Sequence, residues 1–163
     1  MKYFIDTEFV LDAGLGVTFV HPISIALVCE DGRELYLHER PNLQESYLYH
    51  GSGDFVREQV LPVLDALPGE YLYDHEWMER ILIFMNGTTP EFWGDYAAFD
   101  YAILAHANGG FDNWPEDWPM HINDLQQLGV AVGASDVPHN ALSDARAVRD
   151  AYMAFERAMN ADE

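Results

Sequence analysis

Apolar positions follow two different rhythms along the chain. In the first 37 residues they come as short runs. Tyr3, Phe4 and Ile5 form one run that leads into Asp6-Thr7-Glu8-Phe9. Ile23 to Cys29 is apolar except for Ser24, and Leu35-Tyr36-Leu37 is a third run. These runs predict strands, the second buried on both faces. Glu30-Asp31-Gly32 supplies the turn between the second and third. Residues 11–21, with Gly14 and Gly16, read as a mobile loop.

From residue 54 the spacing turns helical. Asp54 to Leu64 carries apolar Phe55, Val56, Val60, Leu61 and Leu64, with Pro62 placed to limit or kink a helix. Asp74 suits an N-cap for a helix through Met85, and Gly87 suits its end. Glu91 to Gly94 reads as another strand, Phe99 to His106 as a helix, and Asp124 to Leu128 as a short helix. Between them lies a loop at 111–119 rich in Trp and Pro. Ala141, Ala145, Val148, Tyr152, Phe155 and Met159 repeat at four-three-four-three-four, one face of a long amphipathic helix. Strands followed by helices with a further strand between them predict an α/β fold, a mixed sheet flanked by helices.

Length predicts a single domain over residues 1–163, large enough to bury a core without disulfides. One cysteine, Cys29, excludes an internal disulfide and a Cys-based zinc site, and reads as a buried thiol. No apolar run is long enough to span a bilayer, and Asp6 interrupts the N-terminus before a signal segment forms, so the expected location is the cytoplasm, with no membrane partner. Asn86-Gly87-Thr88 then reads as a turn. The formal charge is −20, from 28 acidic and 8 basic residues, with Lys2 the single lysine. That excludes a protein that holds long nucleic acid in a basic groove. It leaves open an enzyme that grips phosphate through cations. No His-Glu-x-x-His pattern points to a zinc hydrolase, and Asp74-His75-Glu76 reads as a helix start.

Within the acidic excess four carboxylates stand out. Asp6 and Glu8, two apart on a strand, point to the same side and repel unless water or a cation separates them. Asp100 sits at a helix start and Asp144 within the apolar stripe of the last helix, where a charge needs a partner. Arg146 lies elsewhere on that helix. His139 stands five residues before Asp144. Each also has an ordinary reading: a solvated strand end, a helix cap, a surface histidine. As a set, oxygen ligands from separate elements favour Mg²⁺ or Mn²⁺ over zinc. Two such ions about 3.5–4 Å apart clamp an in-line phosphoryl displacement.

Asp6-x-Glu8, then Phe99-Asp100 with Leu104, then His139-x-Ala141-x-x-Asp144 resembles the DEDDh 3′→5′ exonuclease family, whose fold is ribonuclease-H-like. Tyr3-Phe4-x-Asp6-Thr7-Glu8-Phe9, Ile23-Ser24-Ile25, Glu30 to Glu34, and Trp93 ahead of Ala98-Phe99-Asp100 are similar to its polyadenylate-specific exoribonuclease AS group. The motifs span residues 6–144; residues 38–90 and 111–119 carry no such likeness.

The resemblance implies an enzyme, a metal-dependent 3′→5′ exoribonuclease that releases nucleoside 5′-monophosphates from single-stranded RNA, with poly(A) as a preferred substrate. It implies that Asp6, Glu8, Asp100 and Asp144 hold two Mg²⁺ and that His139 takes the proton of the attacking water. One ion would lower the water's pKa and the other would stabilise the leaving 3′ oxygen. It also implies a homodimer, and Thr7, Phe9, Trp93 and Phe99 at the substrate. Phe9, Trp93, Tyr96 and Phe99 offer stacking surfaces for terminal bases, or else belong to the core. Two alternatives stay open: a 3′→5′ exodeoxyribonuclease sharing every catalytic residue, and a non-catalytic acidic protein that mimics nucleic acid.

Overall fold

In the computed structural model, which describes residues 1–12, 19–40 and 53–161, six strands form one mixed sheet. The strands are β1 (Lys2–Asp12), β2 (Phe19–Cys29), β3 (Glu34–Glu39), β4 (Glu70–Leu72), β5 (Glu91–Gly94) and β6 (Asn123–Asp124). Their order across the sheet is β4-β3-β2-β1-β5-β6. The β1-β2-β3 meander is antiparallel, and β4, β5 and β6 join in parallel. The helices are α1 (Asp74–Met85), α2 (Ala98–Ala107) and α3 (Ala141–Ala161). A mixed sheet with flanking helices is the α/β architecture the sequence predicts, consistent with a ribonuclease-H-like domain.

Alternation along β1 divides the core in two. Tyr3 and Ile5 point to one face, where Trp77, Ile81 and Met85 of α1 and Ile103 and Leu104 of α2 cover them. Phe4 and Val10 point to the other, beneath Ala141, Ala145, Val148 and Tyr152 of α3. Ile25, Leu27, Ala26 and Val28 of β2 are all buried, as a strand sandwiched between two helical layers requires. Cys29 ends that strand fully buried. The apolar face of α3 thus lies on the sheet from Ala141 to Tyr152, while Met159, at the end of the predicted stripe, is 57% exposed because the helix runs on past the sheet.

Several boundaries differ from expectation. The β1–β2 ladder continues through Val10↔His21, Leu11↔Val20 and Asp12↔Phe19, so both ends of the loop expected over residues 11–21 are paired strand instead. Gly14 and Gly16 lie outside the described residues. The ladder slips one residue between Glu8 and Phe9, opposite Pro22, which has no N–H to donate. The short β4 and β6 add edges that no apolar run announces. The stretch Gly53 to Ala66 is helical throughout but changes pitch, from α through a π turn at Val56–Val60 to a 3₁₀ helix at Leu61–Ala66. Pro62, at the start of the 3₁₀ segment, cannot donate a helical hydrogen bond.

Helix α1 begins at Asp74, with Tyr73 as the capping position instead: Tyr73 N–H donates to the Glu76 carboxylate at 2.8 Å. It ends in left-handed Asn86, followed by Gly87. The Asp124 expectation also shifts: Asp124 closes β6 and its carboxylate caps a 3₁₀ turn, Leu125–Leu128. In the loop at 111–119, Trp114 and Trp118 turn inward and meet edge to face at 5.5 Å. Trp118 packs edge to face on Phe92 at 5.2 Å, so this loop closes one core. Among the described residues no helix is long and apolar enough to cross a membrane.

Phe92 is fully buried between Tyr3 and Trp118. Phe92→Ala is expected to lower unfolding stability by about 3–5 kcal/mol, measured by urea denaturation, because β5 cannot collapse onto the void.

Candidate active site

The parallel pairing of β1 and β5 stops where β5 stops: Lys2, Tyr3 and Phe4 pair with Glu91, Phe92 and Trp93. Beyond that point β1 runs on through Asp6, Thr7 and Glu8. A crevice outside the carboxyl ends of strands is a common place for ligands in α/β sheets. Asp6 and Glu8 share the parity of Phe4 and Val10 and therefore face α3. There they meet Asp144 from the first turn of that helix. Asp6, Glu8 and Asp144 each place one oxygen such that all three lie within 4.8 Å of one another.

Asp100 comes to the same strand from the opposite layer. It is 6% exposed in the first turn of α2, and its carboxylate accepts a hydrogen bond from Thr7 Oγ1 at 2.6 Å. Gly94 lets the turn into α2 pack closely behind it: a Cβ there would stand 2.7 Å from Ala97 Cβ, while Asp100 Oδ2 would be at ordinary contact distance, 3.5 Å. Thr7 is itself buried, so its hydroxyl holds Asp100. Arg146, close to Asp144 in sequence, turns away to pair with Glu34 at 2.6 Å.

Packing this much negative charge together makes protons hard to remove. Burial raises Asp6 well above the usual aspartate range, and the neighbouring Asp100, Glu8 and Asp144 raise it further. Burial likewise raises Glu8 to about 8, with Asp144 and Asp100 adding to it. Asp100 rises to about 7 by burial, partly offset by the Thr7 hydrogen bond. Burial raises Asp144 too, opposed by hydrogen bonds from Ser135 and the His139 backbone.

His139 lies on the same cavity, of about 290 Å³, which is lined by Asp6, Asp95, Ser135, Pro138, His139 and Asp144 among others. Its backbone is left-handed, at φ 63°. Its ring meets Phe55 edge to face at 4.9 Å. The structure therefore brings Asp6, Glu8, Asp144 and His139 into one neighbourhood, with Asp100 adjoining through Thr7. Phe9 and Phe99 stack at 4.8 Å, and Phe99 remains 45% exposed beside Asp100. Trp93 is not brought there. Its indole is in the core against Tyr152, with Nε1 donating to Glu91 at 2.9 Å. Tyr96 is largely exposed.

Two acidic residues of this neighbourhood were not singled out in the sequence. Asp95 lines the cavity, and its Oδ1 accepts from Gln126 Nε2 at 2.6 Å. Asp124 accepts from the Tyr96 and Ala97 backbone, fixing the loop that carries Asp95. The available signal for Asp95 was its place directly after a strand.

The donor set fits a hard divalent cation. All the converging atoms are carboxylate oxygens, and their raised proton affinities are what a cation would relieve. Among the described residues no other group of three or more His, Cys, Asp or Glu converges this way.

No family model matches the chain. Two curated proteins, both named 3′-5′ exoribonuclease and from Mycobacterium tuberculosis strains CDC 1551 / Oshkosh and ATCC 25618 / H37Rv, are each 32% identical to it over 157 residues. The matches cover 90% of this chain and 88% of each relative.

The raised carboxyls predict how the metal-free protein responds to pH. Glu8 titrates near 4.5 when unfolded and near 8 when folded, so the folded chain binds the proton more tightly. The stability this gives is complete below about pH 4.5 and is lost as pH rises through 8. Metal-free protein is expected to lose on the order of 1 kcal/mol per pH unit across that window from this group. Thermal melts should show added Mg²⁺ or Mn²⁺ raising Tm much more at pH 8 than at pH 5.

Proposed function

The chain belongs to the 3′-5′ exoribonuclease family, and on that premise we propose that it shortens single-stranded RNA from its 3′ end by metal-dependent hydrolysis, releasing nucleoside 5′-monophosphates. The observation that carries this reading is the convergence of Asp6, Glu8 and Asp144 oxygens beside the cavity that holds His139. In this proposal Asp6, Glu8, Asp100 and Asp144 hold two divalent cations, Mg²⁺ or in its place Mn²⁺. When bound, such cations lower the pKa of the attacking water and offset negative charge on the phosphate and the departing 3′ oxygen.

The chain's own groups do the rest. His139 accepts the proton of the attacking water as general base. Its exposed flank faces the cavity, so the proton passes on to solvent. Thr7 keeps Asp100 in one orientation through its 2.6 Å hydrogen bond. The stacked Phe9–Phe99 pair, with Phe99 half exposed, offers a surface for the terminal base. With a charge of −20 the protein has little to attract a long phosphate backbone. Affinity then comes from stacking and from cation-bridged phosphate near the 3′ end, which favours short single-stranded ends. Poly(A) preference, a DEDDh assignment, homodimer formation and a single domain over residues 1–163 are further parts of this proposal. The single domain rests on chain length and the others on the sequence resemblance.

The test is a time course on 5′-labelled single-stranded RNA with and without Mg²⁺, beside matched DNA and poly(A). A Mg²⁺-dependent ladder shortening from the 3′ end on RNA is expected. Equal degradation of DNA would establish the exodeoxyribonuclease reading instead, and no ladder on either would favour a non-catalytic role. His139→Ala is expected to lower kcat by about 10²–10⁴-fold. Asp6→Asn and Asp144→Asn are expected to abolish detectable turnover. Rates should vary only weakly between 50 and 200 mM salt; a steep decline would mean many phosphate contacts.

A further inference from the structure

Asn140 stands between the histidine and the last helix, and it is fully buried. Its side chain faces two ways. Oδ1 accepts from Ser143 N–H at 3.2 Å, capping α3. Nδ2 donates to the carbonyls of Val63 at 2.8 Å and Leu64 at 3.2 Å. Those carbonyls lie in the 3₁₀ segment that closes the helical stretch 53–66, where helix-end acceptors have no partner within the helix. Tyr36 on β3 adds a second donor to the Leu64 carbonyl at 3.2 Å. Asn140 therefore supplies what a buried helix end lacks, and in return is held by it.

The backbone of Asn140 is held as well. Its N–H donates to Val137 at 3.2 Å and its carbonyl accepts from Asp144 N–H at 2.9 Å. Val137 N–H in turn donates to Ser143 Oγ at 2.9 Å. His139, the next residue back, sits in the left-handed region, which is sparsely occupied by residues other than glycine. Its ring rests on Phe55, which belongs to the same helical stretch that Asn140 grips. One element thus reaches His139 twice, through the ring and through its neighbour. A cap alone asks for none of this: serine or aspartate caps a helix equally well.

We propose that Asn140 is a positioning residue for the reaction, clamping the His139 backbone to the helical stretch 53–66 so that the imidazole stays fixed at the cavity it shares with Asp6 and Asp144. The inference rests on the reading of His139 as general base. It makes Val63, Leu64 and Phe55 part of the support for catalysis, though none of them touches substrate.

Asn140→Ser separates the two roles, since serine keeps the cap acceptor and is too short to reach the two carbonyls. The measurement is steady-state kinetics on single-stranded RNA at saturating Mg²⁺ for the wild type, Asn140→Ser, His139→Ala and the double variant. It is joined by melts and by the histidine ring NMR spectrum of the metal-free protein, with His139 assigned from its loss in His139→Ala. We expect Asn140→Ser to lower kcat by about 10- to 100-fold with KM unchanged, since a misplaced base loses near-attack geometry. Its His139 resonance should shift or broaden. In the His139→Ala background the same substitution should cost nothing more, because both changes act through one group.

A wild-type kcat and an unshifted His139 resonance in Asn140→Ser would overturn the proposal, as would a full extra loss in the double variant. If His139→Ala alone retains its rate, the general-base reading fails, and the resonance still decides whether Asn140 holds the ring. Should Asn140→Ser not fold, Asn140→Asp, which keeps the cap oxygen and removes the donor, carries the same comparison.

Discussion

Mutual repulsion among crowded, half-buried carboxylates is the constraint around which this chain is arranged. Asp6, Glu8 and Asp144 bring oxygens within 4.8 Å of one another, with Asp100 near enough to raise Asp6 further. An arrangement of this kind opposes folding unless protons or cations neutralise it. The fold tolerates it because strong elements impose it. Asp6 and Glu8 lie on the central strand of the sheet, between fully buried Ile5 and Val10. Asp144 lies on a helix whose apolar face is committed to the core. The charge is placed by packing that has no other solution, and the proton affinities record the cost.

The same elements keep the cluster accessible. Because β5 ends at Gly94 while β1 continues to Asp12, Asp6 and Glu8 lie past the β1–β5 pairing while β2 still pairs with them on the other side. Gly94 leaves space for Ala97 at the turn into the helix that carries Asp100, and Asp124 fixes that turn through its backbone. The two helical layers contribute one carboxylate each, Asp100 from one face and Asp144 from the other. A site at the junction of two cores inherits rigidity from both.

Much of this was legible in the residues themselves. The β1, β2 and β5 runs, the α3 stripe and the i, i+2 pairing of Asp6 with Glu8 follow from periodicity, and the structure has them. Asp144 stood out because a charge fell on an apolar stripe. The rest depended on contacts between distant segments. Nothing local in Glu70-Tyr71-Leu72 or Asn123-Asp124 announces a strand, since pairing with β3 and β5 makes them so. The extension of β1 and β2 toward residues 12 and 19 likewise comes from cross-strand pairing. Trp93 sits in an apolar strand and packs on Tyr152 at 4.5 Å, a partner 59 positions away that no spacing indicates. Asp95 and Asn140 have ordinary local patterns, and only the folded chain shows what they face.

The most direct test of the account is calorimetric titration of Mn²⁺ into the metal-free protein at pH 7, in two buffers of different ionisation enthalpy. If the cluster is a cation site held protonated by burial and repulsion, two ions bind per chain and protons are released, so the observed heat depends on the buffer. Asp144→Asn should weaken binding and reduce the release. Absence of binding, or binding with a buffer-independent heat, would contradict the central claim that these carboxylates are arranged to be neutralised by metal.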